Sequence, residues 1–107
     1  MTDLERGVAD ALRLSEKAAG NATLERQIKR NILVARSELI RTGVSDELAN
    51  SGHPLIEEAI ITFCLSKMDE ETLQERHRNA FEYQVDNIRK STITVNKAEE
   101  SEVSNEK

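Results

Sequence analysis

Between residues 3 and 90, apolar side chains recur at helical spacing in four stretches, separated by polar breaks. In the first, Leu4, Val8 and Leu12 fall on one face with Ala11 beside them. Thr2-Asp3-Leu4-Glu5 has the hydroxyl and the following Glu of a capping box. This predicts a short helix over about 3–13, weakened by roughly 1 kcal/mol at Gly7 and so dependent on tertiary support. The pattern is lost over 15–21, which reads as a loop ending in Gly20-Asn21, with Asn21 as the next N-cap. Leu24, Ile28, Ile32, Ala35 and Leu39 then form the clearest stripe, stopped after Thr42 by Gly43. Leu33, Val34 and Ile40 widen its apolar surface beyond one face. Such a helix has two partners: both within its own domain, or one of them in another subunit.

Val44 to Gly52 is a polar connection with a helical turn expected around Asp46–Ala49. Pro54 opens the third long helix, since its missing N–H is harmless at the first helical position. Ile56, Ala59, Ile60, Phe63 and Cys64 make one dense face, and Leu55, Ile61 and Leu65 make the helix apolar nearly all round. The segment 54–67 is therefore expected to be the central, most buried one. After a break at Met68–Glu71, with Asp69 as the expected N-cap, a last helix runs to about residue 90. Its expected stripe is Leu73, His77, Ala80, Phe81, Gln84 and Ile88, with Val85 at the margin. Thr92-Ile93-Thr94-Val95 alternates in the manner of a strand, but one four-residue strand cannot stand alone. Asn96–Lys107 is polar, with Val103 its only sizeable apolar residue, a disordered composition. The reading is an all-α fold. It comprises a small four-helix domain over 1–91 and an extended C-terminal arm over 92–107, with room for a short β-strand at 92–95.

The composition refines this picture. The chain has 107 residues, one small domain's worth. Leu, Ile, Val and Phe make up about 24% of it, above the roughly 20% below which charged chains stay disordered. The core is thin: there is no Trp, and Phe63, Phe81 and Tyr83 are the only aromatic residues. A domain of this size commonly gains stability by association. The longest apolar run, Ala59–Leu65, falls far short of the ~18 residues a membrane span needs. Asp3 and Glu5 stand where a signal peptide would carry basic residues. A single cysteine, Cys64, forms no intramolecular disulfide and suits a reducing cytoplasm. The sequon Asn21-Ala22-Thr23 is accordingly not expected to be glycosylated.

The formal net charge of −5 argues against a non-specific nucleic-acid binder. The charge is uneven. Arg26, Lys29, Arg30, Arg36 and Arg41 against Glu25 and Glu38 give 24–42 a balance of +3, whereas 53–90 has −3 and 96–107 has −2. Arg26, Lys29 and Arg30 share a helix face. That face is open to three readings: solvated, docked on an acidic surface of an identical subunit, or bound to phosphate. Asp69-Glu70-Glu71 with Glu75 suits a solvated helix start, with a divalent-cation site as the alternative. His53 reads as a helix-boundary residue, His77 as a packed or half-exposed side chain, and Cys64 as a small core hydrophobe. There is no Glu-x-x-His, Gly-rich phosphate loop, nucleophile elbow or zinc motif. The expectation is a non-enzyme with no cofactor and no metal.

Three stretches together resemble a known family. They are Leu24–Gly43 with Ile32-Leu33-Val34-Ala35-Arg36-Ser37-Glu38-Leu39 before Thr42-Gly43-Val44, the apolar Pro54–Cys64, and Arg76–Ser91 with its closing serine. In this order, over about residues 4–91, the chain resembles the small helical head–tail connector proteins of tailed bacteriophages, also called adaptor, head-completion or DNA-packaging proteins. It departs from them at Ser66-Lys67-Met68-Asp69, where many members have aromatic residues and a Gly or Asn-Arg turn.

The resemblance implies a virion protein of the head–tail interface, assembled in the host bacterial cytoplasm. It implies a head-to-tail ring of about a dozen copies, which demands two complementary faces per subunit. Arg26, Lys29 and Arg30 are the candidates for one face, and Glu71, Glu75 and Glu82 for the other. The ring would sit beneath the portal protein, carry a tail or stopper protein, and let DNA pass through its channel without specific binding or any membrane contact. Thr92, Ile93, Thr94 and Val95 would lie in an arm that reaches the portal, adding a strand to a partner's sheet. Rival readings are a small bacterial adaptor or regulatory protein that binds one protein partner, an enzyme or metal protein, and a DNA binder.

Overall fold

A computed structural model describes residues 1–13 and 21–91. The expectations for the arm, including Thr92–Val95, lie outside the described residues. So does most of the loop before Asn21.

Four of the five described helices begin where a side chain supplies a cap. In α1 (Asp3–Ala11), Thr2 Oγ1 accepts from the Glu5 N–H at 3.1 Å, and Glu5 Oε1 accepts from the Thr2 N–H at 3.0 Å. This closes the anticipated capping box. The helix ends earlier than the 3–13 its apolar spacing predicts, because Arg13 takes a left-handed conformation with φ +61°. Its buried residues are Glu5, Val8 and Ala9; Ala11 is exposed. In α2 (Ala22–Arg41), Asn21 Oδ1 accepts from the Leu24 N–H at 3.0 Å. Gly43, at φ +115°, ends α2 with the paired bonds of a Schellman motif. The Gly43 N–H donates to the Ile40 carbonyl and the Val44 N–H to the Leu39 carbonyl, both at 3.0 Å.

The turn expected near residue 46 is a four-residue helix, α3 (Asp46–Ala49), capped by Ser45. The Arg36 guanidinium fastens it to α2 through a 2.6 Å hydrogen bond to the Ala49 carbonyl. α4 (Pro54–Met68) starts with Pro54 at its first turn, and His53 Nδ1 accepts from the Leu55 N–H at 3.1 Å. α5 (Glu71–Lys90) departs from expectation at its start. The N-cap position belongs to Glu70, without a side-chain bond, while Asp69 is the extended residue that ends α4.

α4 is the centre of this all-α fold and packs on α5, α2 and α1. Ile56, Ala59, Ile60 and Cys64 are fully buried. The hydroxyls of the buried Thr62 and Ser66 donate to the carbonyls of Glu58 and Phe63, so their polarity is satisfied within the helix. α2 contributes Ile28, Ile32, Ala35 and Leu39 to the core, as its stripe predicts. α1 crosses α2 and α4 where Gly7 permits close approach: a Cβ there would sit 3.2 Å from the Ile61 side chain.

On α5 the buried residues are Phe81, Val85 and Ile88. Val85 is thus in the seam rather than at its margin, and Ala80 is exposed. The rotation is set by Phe81, whose ring packs edge-on against Phe63 at a centroid distance of 5.2 Å. Residues four and seven further along then point the same way. α2 and α5 flank α4 with little direct contact between them, in a flat body of 50 × 27 × 19 Å.

Candidate functional site

The long helices leave two outer surfaces and a groove between them. On α2, the side opposite the buried stripe carries Arg26, Lys29, Arg30, Leu33, Ser37 and Ile40, all exposed. Leu33 is 67% exposed, with Val34 and Ile40 at 43% and 40%. The basic trio lies about one to two turns before Leu33 on the same rod. Lys29 pairs with Glu25 at 3.4 Å, and Arg26 reaches the Thr23 hydroxyl at 3.4 Å. No described acid lies within ion-pair distance of Arg26 or Arg30. The structure therefore brings the three cations together and joins them to a greasy stripe.

On α5, Glu71, Glu75 and Glu82 are exposed and share a flank at i, i+4 and i+11. None forms an ion pair with a described residue. That flank is mixed, because Arg78 and Arg89 fall on it as well. Tyr83, further around the helix, is 69% exposed.

A groove of about 610 Å³ runs between α2 and α5 over α4. Phe63, Phe81 and Val85 form its floor, and Arg41, Lys67, Arg78 and Arg89 with Glu38, Glu82 and Asp86 are on its walls. It opens on the side of α4 away from α1, since Ile61, which meets α1, lies about 200° around the helix from Phe63. Two charge pairs close within these walls or beside them. Arg41 binds Glu38 through both carboxylate oxygens, which holds the Glu38 carboxyl below its ordinary range and raises the guanidinium's own. Asp86 takes Lys90 at 2.9 Å, raising the pKa of that ammonium. Lys67 stands over the Phe63 ring at 5.3 Å.

No family model, curated protein or solved structure matches the chain.

The histidines and the cysteine take structural positions. His77 Nε2 lies 2.8 Å from Asp69 Oδ2, tying α5 back to the end of α4. The Glu70 N–H bonded to Asp69 lowers this carboxyl's pKa, with the His77 contact and the charge of Arg13 adding to the effect. Cys64 is buried, and desolvation pushes its thiol up to about 12, which leaves it protonated and inert at neutral pH. Among the described residues, no three His, Cys, Asp or Glu side chains converge as metal ligands. No helix among them is long and apolar enough to cross a membrane.

The groove is the feature that the chain pattern does not announce. Arg78, Glu82 and Arg89 can be placed on one α5 flank from their spacing alone. Their approach to Lys67 and Arg41 depends on α2 and α5 standing on either side of α4.

Proposed function

We propose that this chain is a structural assembly protein, a head–tail connector of the tailed-phage type that works as a ring of identical subunits. The observation that carries the reading is the outer face of α2, where Leu33 is 67% exposed on a rod that also presents Arg26, Lys29 and Arg30. An apolar stripe next to Arg26 and Arg30, which have no ion-pair partner among the described residues, has the character of a contact surface. The exposed acids Glu71, Glu75 and Glu82 on α5 offer a second, complementary surface, as a head-to-tail ring requires. In this reading the arm over 92–107 contacts the portal, a tail or stopper protein docks on the ring, and DNA passes through the lumen. The protein then belongs to the virion and performs no catalysis.

Light scattering of the purified chain, alone and with the portal protein of the same genome, tests the proposal. Assemblies of the unaltered chain should shrink when Lys29→Glu and Arg30→Glu are introduced together. Unchanged assemblies would refute the pairing. A chain that stays monomeric in every condition, portal included, would instead favour an adaptor that binds one unrelated partner.

A further inference from the structure

The groove over α4 has an unbalanced charge. Glu38 is consumed by Arg41 and Asp86 by Lys90, which leaves Lys67, Arg78 and Arg89 facing Glu82 alone. Neither Arg78 nor Arg89 has an ion-pair partner among the described residues. The groove thus combines an aromatic floor with three cations, a setting for an acidic segment that also carries apolar side chains.

The chain itself holds such a segment, attached at the groove's end. α5 finishes at Lys90, one residue beyond groove-lining Arg89. The following stretch begins with Thr92-Ile93-Thr94-Val95, then carries Glu99, Glu100, Glu102 and Glu106 against Lys97 and Lys107. Its length fits. Doubling back along α5 from Ser91 to Phe81 covers about 15 Å, at 1.5 Å per helical residue. Four extended residues span about 13 Å, which brings Ile93 and Val95 level with Val85 and Phe81. Eight or nine span about 26–30 Å, enough for Glu99 and Glu100 to reach Arg78 and Lys67, some 20 Å back.

We propose that in the free chain residues 92–107 seat in this groove intramolecularly, with Ile93 and Val95 over the Phe81–Val85 floor and the following glutamates on Arg78 and Lys67. The reading stands without the ring. If the ring forms, the arm must leave the groove to meet a portal, so the seated state is the unassembled one.

The inertness of buried Cys64 makes a clean test available, because a Ser101→Cys variant of the full chain takes a nitroxide label at one site. In dilute solution, amide signals of Arg78, Phe81, Glu82 and Val85 should broaden several-fold more than those of Val8 and Leu12 on the far side. The contrast should vanish when Glu99, Glu100 and Glu102 are changed to Lys, and equally with Lys67→Glu and Arg78→Glu. Equal broadening on both sides would overturn the proposal. So would groove broadening transferred to unlabelled, isotope-enriched chains in a mixed sample, which would assign the groove to the arm of a second copy.

Discussion

α2 and α4 are neighbours, yet they meet water differently. α4 is greasy nearly all round and is covered by three other helices; among its large apolar side chains only Leu55 is strongly exposed. α2 buries one stripe and leaves Leu33, Val34 and Ile40 uncovered beside Arg26, Lys29 and Arg30. The apolar surface of α4 therefore stabilises the fold, whereas the outer surface of α2 is left uncovered among the described residues. Burial separates two kinds of apolar residue that the sequence pattern alone leaves together.

The sharpest contrast comes from one truncation on each helix. Ile60→Ala removes a fully buried side chain from α4 and should cost about 2–5 kcal/mol, read as a lower denaturant midpoint. Leu33→Ala on α2 should change monomer stability by less than about 0.5 kcal/mol while weakening assembly. Equal losses in monomer stability would erase the distinction between the two helices.

Arg36 sharpens the comparison on the covered side of α2. Its guanidinium supplies the hydrogen bond to the Ala49 carbonyl that holds α3 in place. Arg36→Ala should cost about 1.5–3 kcal/mol in thermal or chemical unfolding, since bonds to charged groups are worth that much. Arg30→Ala, one and a half turns earlier on the open face, should be nearly silent in the same assay.

The smallest effect is at the junction of α4 and α5. The pKa of the Asp69 carboxyl is depressed in the folded chain, so its stabilisation is complete above the unfolded value near 4 and is lost as pH falls through the folded one. Asp69→Asn should lower stability at neutral pH by less than about 1 kcal/mol. It should also flatten the acid limb of a stability-against-pH curve.

Periodicity and punctuation made much of this architecture readable in advance. The α2 stripe is strictly spaced, and Gly43 terminates it with the backbone conformation that glycine alone adopts freely. The all-round apolarity of residues 54–67 marks α4 as the centre for the same reason that it ends up covered. Failures occur where a tertiary contact decides. Ala80 and Val85 exchange places because the Phe63–Phe81 packing sets the rotation of α5. Asp69 has the right chemistry for an N-cap but is engaged by His77, eight residues further on, and by the adjacent Glu70 N–H. The basic trio and the acidic row were legible as helix faces. Spacing also places Arg78 and Arg89 beside Glu82, but the groove these residues line required the three-helix arrangement.

The claim that copies of this chain join through α2 and α5 has a direct test by exchange of charge. One variant carries Lys29→Glu and Arg30→Glu; a second carries Glu71→Lys and Glu75→Lys. Sedimentation velocity under conditions where the unaltered chain assembles should show each variant alone as small species and their equimolar mixture as restored assemblies, with the two alternating around the ring. Assembly of either variant alone to the normal size, or a mixture that never associates, would contradict the account.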